Sequence, residues 1–167
     1  MRVIQLLDKL HDRDSFDCGN EALNQFFKQT ARQHIQKGLS RTFVLVDTEQ
    51  SENVLAFFSL SLCEVRTEKL PPKFAKKYPS LISGVKLARL AVAKSMQRQG
   101  IGSILMIEAM QRAVVVANNA GIVGLFVDAK DNAAKAYYER YGFISLKDTP
   151  LEMFLPLQTI AQIIEPS

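Results

Sequence analysis

From residue 85 the chain reads Val-Lys-Leu-Ala-Arg-Leu-Ala-Val92, then turns polar through Ala93-Lys-Ser-Met-Gln-Arg-Gln-Gly-Ile-Gly-Ser103 and goes straight into a long apolar segment. This is a strand, a turn and a helix in sequence terms. Gly100 and Gly102 let the backbone come close to a ligand, and the first N–H groups of the helix point out of its positive end, so the chemistry on offer is anion binding by main chain. The two glycines alone also fit an ordinary turn before a helix. No Gly-Lys-Ser/Thr closes the loop and no Gly-x-Gly-x-x-Gly is present, which excludes a nucleotide-hydrolase P-loop and a Rossmann fingerprint. Arg89 places a charge inside an apolar strand, where it needs a partner or a ligand: a structural salt bridge or a bound anion. Cys18, Cys63 and two histidines, with no Cys-x-x-Cys, argue against a structural metal site, and both thiols are expected to be reduced and packed. No Asp or Glu identifies itself as a general base.

These residues need a scaffold, and the hydrophobic pattern supplies one. Residues 3–7 predict a first strand, and Asn20 is placed to cap a helix over 21–36. Its apolar face is Leu23, Phe26, Phe27, Thr30, Ala31 and His34, with Gln25, Lys28, Arg32 and Gln36 opposite. Lys28 and Arg32 read either as a solvated face or as a ridge for nucleic-acid phosphate. Residues 41–47 and 54–61 predict an antiparallel hairpin, with 62–65 as an extension. Prolines then bracket a basic excursion over 69–79 that carries Lys73, Lys76 and Lys77. The loop strand follows at 85–92 and its helix runs over 100–118. That helix has two apolar rows, Ile101/Leu105/Ala109/Ala113 and Met106/Met110/Val114, so it must be covered on more than one side, by the sheet and by neighbouring elements or a second subunit, which makes a homodimer one arrangement to expect. A buried strand at 121–128, a helix to Tyr141 stopped by Gly142, strands at 143–146 and 151–155, and a terminal helix at 158–164 complete the order. The fold class is α/β, a mixed sheet flanked by helices, in one domain over 1–167.

A chain of 167 residues, 47% apolar and 23% charged, has room for one core and shows no repeat or linker. The first residues lack the apolar stretch of a signal peptide, and no run approaches the roughly eighteen consecutive apolar residues of a membrane span. A cytoplasmic protein with no membrane partner is the expectation. The net charge of +4 and pI near 9.1 suit an anionic partner, either a coenzyme or a nucleic acid.

Gln97-x-x-Gly100-x-Gly102, the Arg89-Leu-Ala-Val92 strand before it and Asn132-x-x-x-x-Tyr137-Tyr138-x-x-x-Gly142-Phe143 after it resemble, in that order, the core of the GNAT family of N-acetyltransferases. The resemblance implies the GNAT fold: a mostly antiparallel mixed sheet whose central parallel strands, 85–92 and 121–128 here, splay apart around the cofactor. It implies acetyl-CoA as cosubstrate and no metal. The pyrophosphate would rest on Gln97, Arg98, Gln99, Gly100, Ile101, Gly102 and Ser103. The pantetheine arm would lie along the main chain of Leu90, Ala91 and Val92, with Asn132 on its other side. Tyr138 takes the place of the family's phenol facing the sulfur and is the candidate acid that protonates the departing thiolate. With reference pKa values of about 10 and about 8.5, that transfer is mildly uphill and needs help from position.

Phe16-x-Cys-Gly-x-x-x-Leu-Asn24, Lys37-Gly-x-x-Arg-Thr42, Leu70-Pro71 and the closing Phe154-Leu-Pro-Leu157 extend the similarity over nearly the whole chain, toward the bacterial toxin branch of the family. That branch acetylates the α-amine of aminoacyl-tRNA, blocks translation and is commonly paired with a ribbon-helix-helix antitoxin. By analogy Arg89, Lys28, Arg32 and Arg41, with the lysines at 73, 76 and 77, become tRNA contacts. The missing base agrees with such an acceptor. An α-amine of pKa about 7.7–8.0 is roughly a tenth neutral at pH 7, whereas a lysine amine near 10.4 is below about one part in a thousand. Two alternatives stay open: an acetyltransferase acting on a small-molecule amine, protein N-terminus or lysine, and a non-catalytic acetyl-CoA-binding module.

Overall fold

The computed structural model describes residues 1–165. Its strands are β1 (Arg2–Leu6), β2 (Arg41–Asp47), β3 (Gln50–Arg66), β4 (Leu81–Val92), β5 (Gly124–Asp128), β6 (Ile144–Leu146) and β7 (Thr149–Pro156). The helices are α1 (Glu21–Gln25), α2 (Ala31–Lys37), α3 (Pro72–Ala75), α4 (Ile101–Ala120), α5 (Asn132–Glu139) and α6 (Leu157–Ile164). Hydrogen bonding orders the strands β1-β2-β3-β4-β5-β7-β6. All the registered pairings are antiparallel except β4 with β5, which run parallel and keep register only at Val85–Leu125 and Lys86–Phe126. A mixed, mostly antiparallel sheet was expected, and the short parallel pairing fits strands that part beyond it.

The chain divides into two compact units, Met1–Ser61 with Ala88–Ala109, and Leu62–Leu87 with Met110–Ser167. In the first, the expected helix over 21–36 is present but not uniform. Asn20 caps it, accepting from the Leu23 amide at 3.1 Å. Between α1 and α2, Phe26–Thr30 then wind as a π-helical turn, with the Ala31 N–H reaching back to the Phe26 carbonyl. Two adjacent large rings cannot both occupy the centre of a stripe of period 3.6, and widening the turn brings both inward. Phe26 and Phe27 are indeed buried together, and Phe27 stacks on Phe57 with centroids 4.5 Å apart. Leu7, Phe16, Val44, Val46, Val54 and Ala91 complete that core.

The second unit packs Leu70, Ile82, Phe126, Leu146 and Phe154 together, with Phe126 stacked on Phe154 at 4.9 Å. Phe126 lies flat because Gly84 leaves room, since a Cβ there would strike its ring. β3 and β4 are longer than the pattern predicts, and the basic excursion between them folds as a 3-10 turn and the four-residue α3. β5 starts later than predicted: Gly121 is left-handed and its N–H still bonds to Ala117, extending the end of α4.

By length and composition α4 would also pass as a membrane-crossing helix. Its first apolar row, Ile101, Leu105, Ala109 and Ala113, is buried throughout, as are Met106 and Met110 of the second, so it works as a core helix here. Ile104 and Val115 remain exposed.

Candidate active site

The loop after β4 has the backbone that anion binding needs. Arg98 and Gly100 both have positive φ, 65° and 77°, on either side of Gln99. A left-handed Arg costs about 1–2 kcal/mol and persists only where its surroundings impose it. Alternating hands in successive residues turn consecutive N–H groups toward one side, and α4 begins at Ile101 with its own free amides. Residues 97–100 are exposed, while the Ile101 side chain is buried, so only its N–H faces a ligand.

Struts from the N-terminal turn hold this loop. Gln97 Nε2 donates to the carbonyls of Cys18 and Val92, both at 2.9 Å. The Lys94 amide donates to the Asp17 carbonyl at 2.9 Å, and its ammonium lies 3.4 Å from the Asp17 carboxylate. Asp17 also accepts from Gly19 N and Asn24 Nδ2, each at 2.9 Å, and these bonds hold its carboxyl below the usual carboxylate range. Gln97, expected against the coenzyme, has its side-chain amide nitrogen engaged as a brace. The Phe16-x-Cys-Gly motif therefore gains a physical role that its sequence alone did not disclose.

Arg89 sits in β4 with its guanidinium 3.6 Å above the centre of the Phe26 ring. It forms no ion pair among the described residues, so the structural salt bridge is not what holds it. Burial pushes its pKa down. One face of the guanidinium is covered by an aromatic ring and no anion meets its edges, an arrangement suited to an anionic ligand. The π-helical turn is what puts Phe26 there. Lys28 and Arg41 are exposed and Arg32 half-buried on the same unit. On the other unit, Lys73 and Lys77 lie over the Phe74 ring at 5.0 and 5.9 Å, beside exposed Lys76.

Tyr138 projects from α5, a helix capped by Asp131, whose carboxylate accepts from Ala134 N at 2.8 Å. Asn132 is the first helical residue and is exposed. The half-buried Tyr138 ring packs against Phe143 at 5.5 Å, and its hydroxyl has no hydrogen-bond partner among the described residues. Burial, and then the Asp128 charge, raise its pKa, which keeps the phenol protonated at neutral pH. Its neighbour Tyr137 behaves differently, since its hydroxyl is 3.2 Å from that of Tyr141. Of the two adjacent tyrosines, Tyr137 shares a hydroxyl–hydroxyl hydrogen bond and Tyr138 has none among the described residues. Asp128, not singled out in the sequence, is the carboxylate whose charge bears on this phenol. It is paired with Lys86 at 2.6 Å and acts electrostatically on the phenol. Only the ladder pairing of β4 and β5 could have signalled it.

Residues 39–145 match the family model described as acetyltransferase (GNAT) domain. The chain belongs to the GNAT acetyltransferases. Among curated relatives, this acetyltransferase is 28% identical over 173 residues to the probable toxin TacT of Sinorhizobium fredii, covering 98% of this chain and 95% of that one. It is also 28% identical over 153 residues to the tRNA-acetylating toxin of Mycobacterium tuberculosis, covering 92% and 90%. Among solved structures it resembles AtaT complexed with acetyl-methionyl-tRNAfMet, with TM-score 0.91 and 31% identity over 98% of this chain and 99% of that one. A tyrosine-to-phenylalanine mutant of KacT gives 0.90 and 32% over 97% and 98%. AtaT carrying the same kind of change, bound to the C-terminus of the antitoxin AtaR and acetyl-CoA, gives 0.83 and 28% over 98% of both. The fold expected for a GNAT acetyltransferase is thus the fold observed.

Proposed function

We propose that this acetyltransferase moves the acetyl group of acetyl-CoA to the α-amine of an aminoacyl-tRNA, as the toxin of a toxin–antitoxin pair, and that its two units act as one catalytic domain. The observation that carries the tRNA reading is Arg89, stacked on Phe26 with no anionic partner among the described residues and one residue before the Leu90–Val92 main chain assigned to the pantetheine arm. A relative along 92% of the chain named as a tRNA-acetylating toxin, and the likeness to AtaT complexed with acetyl-methionyl-tRNAfMet, support it.

The diphosphate of the coenzyme rests on the amides of 98–103, with Gly100 and Gly102 giving clearance and Gln97 bracing the loop. Leu90, Ala91 and Val92 pair with the pantetheine amides, and Asn132 is the side chain assigned to the same arm by the resemblance to the family. The neutral α-amine attacks the thioester carbonyl, a C–N bond forms and the C–S bond breaks. The ammonium proton leaves to solvent, and Tyr138 gives its phenolic proton to the departing thiolate. The phenol then regains a proton from water. Arg89, with Lys28, Arg32 and Arg41, holds phosphates of the acceptor stem. An antitoxin neutralises the enzyme, as AtaR binds AtaT.

The test is incubation with acetyl-CoA and bulk aminoacyl-tRNA, followed by nuclease digestion and mass spectrometry of the aminoacyl-adenosine. Acetylated aminoacyl-adenosine, formed at a rate that falls steeply between 50 and 200 mM salt, supports the proposal, because four phosphate contacts cost roughly two orders of magnitude in affinity over that range. Acetylation of free amines or protein at a rate indifferent to salt would point to a small-molecule or protein acceptor instead.

A further inference from the structure

Two main-chain carbonyls of one turn brace the loop after β4, Asp17 O accepting from Lys94 N and Cys18 O accepting from Gln97 Nε2, both at 2.9 Å. A carbonyl braces only as firmly as its own peptide is held. Each of these peptides is planar, with its N–H on the side away from its C=O, so a grip on the N–H fixes the brace. The peptide that carries Asp17 O carries Cys18 N, and the one that carries Cys18 O carries Gly19 N. The Lys94–Asp17 ion pair adds little, since both side chains are more than half exposed to water.

Asn24 grips both peptides. Asn20 caps α1, and the Asn24 N–H closes the first turn on the Asn20 carbonyl at 3.0 Å. Helical side chains lean toward the N-terminus, so the Asn24 carboxamide reaches back to the turn before the cap. Its Oδ1 accepts from Cys18 N at 3.0 Å, which fixes the first peptide. Its Nδ2 donates to Asp17 Oδ1 at 2.9 Å, and the same oxygen accepts from Gly19 N at 2.9 Å, which fixes the second. One orientation of the amide serves both bonds, because a peptide N–H needs an acceptor and a carboxylate needs a donor. Phe16 anchors the other end of the turn in the core, its ring 5.0 Å from Phe27 and 5.4 Å from Phe57.

We infer that Asn24 is a positioning residue for the coenzyme: it holds the two peptides that hold the loop, and so keeps the amides of 98–103 in the array that the diphosphate meets. The inference rests on the assignment of the diphosphate to that loop. Arg98 follows the braced Gln97 directly and stays left-handed only while its surroundings impose it, so slack in the turn lets Arg98 relax and turns its amide away. Both side-chain bonds of Asn24 go to the turn, so its loss acts on coenzyme binding and not on the transfer step.

The experiment measures acetyl-CoA affinity by calorimetry, kcat and KM on aminoacyl-tRNA, and Tm, for the parent, Asn24→Ala, Asn24→Asp, Gln97→Ala, the Asn24→Ala/Gln97→Ala pair and Gly102→Asp. Asn24→Ala should raise Kd and KM for acetyl-CoA at least about fivefold, with kcat within about twofold. Asn24→Asp keeps the acceptor for Cys18 N but sets a second carboxylate against Asp17, and should raise Kd at least about threefold, which keeps the test decisive if the alanine variant does not fold. In the Gln97→Ala background, Asn24→Ala should cost less than about half its factor in the parent, because one of its two routes to the loop is already cut. A Kd within about twofold of the parent in the folded variants, even with a lowered Tm, or losses that multiply in the double variant, would overturn the positioning role. Parental affinity in Gly102→Asp would instead overturn the loop assignment on which it rests.

Discussion

The loop after β4 and the region around Tyr138 are built by opposite means. The loop offers backbone: two left-handed residues, 98 and 100, free amides at the start of α4, and side chains such as Gln97 and Lys94 that brace it. The Tyr138 region offers side chains: a phenol with no hydrogen-bond partner among the described residues, packed on Phe143, and the Asp128 carboxylate in its ion pair. A main-chain site tolerates changes of side chain but not of clearance. A side-chain site loses function with a single atom.

The sharpest test of that contrast is Tyr138→Phe. It removes one oxygen and should lower kcat by about 10²–10⁴, the range for a lost general acid, with coenzyme affinity within about twofold. Equal turnover by mutant and parent would remove the acid assignment. Gly102→Asp does the converse. A carboxylate placed against the diphosphate should weaken acetyl-CoA binding about 100-fold or more, about 2.7 kcal/mol, and calorimetry showing parental affinity would refute the loop assignment. Arg89→Met keeps a stem over Phe26 and removes the charge. It should cost kcat/KM on aminoacyl-tRNA roughly tenfold or more and reduce the salt slope by about one, with little effect on acetyl-CoA binding.

Gln97→Ala should be milder, a few-fold rise in KM for acetyl-CoA at unchanged kcat, since two neutral bracing bonds of roughly 1 kcal/mol each are lost. The smallest effect concerns pH. Tyr137 and Tyr138 have pKa values raised in the native state by burial first. The native protein therefore holds those protons more tightly than the unfolded chain. Their contribution is complete below the unfolded value of about 10 and is lost as pH rises through the native values. Urea midpoints should fall between pH 9 and 11, less so in Tyr137→Phe, and a midpoint independent of pH in that window would contradict the shift.

The same contrast governs what could be read from sequence. Glycine spacing is a local record of backbone geometry, so the loop, its strand and its helix were legible, as was the order of strands and helices. Tyr138 was legible through its motif. The π-helical turn was not, because periodicity assumes 3.6 residues per turn and the adjacent Phe26 and Phe27 only hint at the widening. The Lys86–Asp128 ion pair was not, because its two residues meet only once β4 and β5 pair. Arg89 stood out as a charge in a strand, but its resting place on Phe26 depended on that unseen turn. The Phe16-x-Cys-Gly turn was recognised as a motif and not as a brace, since its partners, Lys94 and Gln97, lie far along the chain.

The most direct check is a crystal structure of the protein with acetyl-CoA. The account requires the diphosphate within hydrogen-bonding distance of the amide nitrogens of residues 98–103, with the Gln97 side chain still bonded to the Cys18 and Val92 carbonyls. Coenzyme bound elsewhere with that loop empty, or Gln97 swung out of its brace to grasp the diphosphate through its side chain, would contradict it.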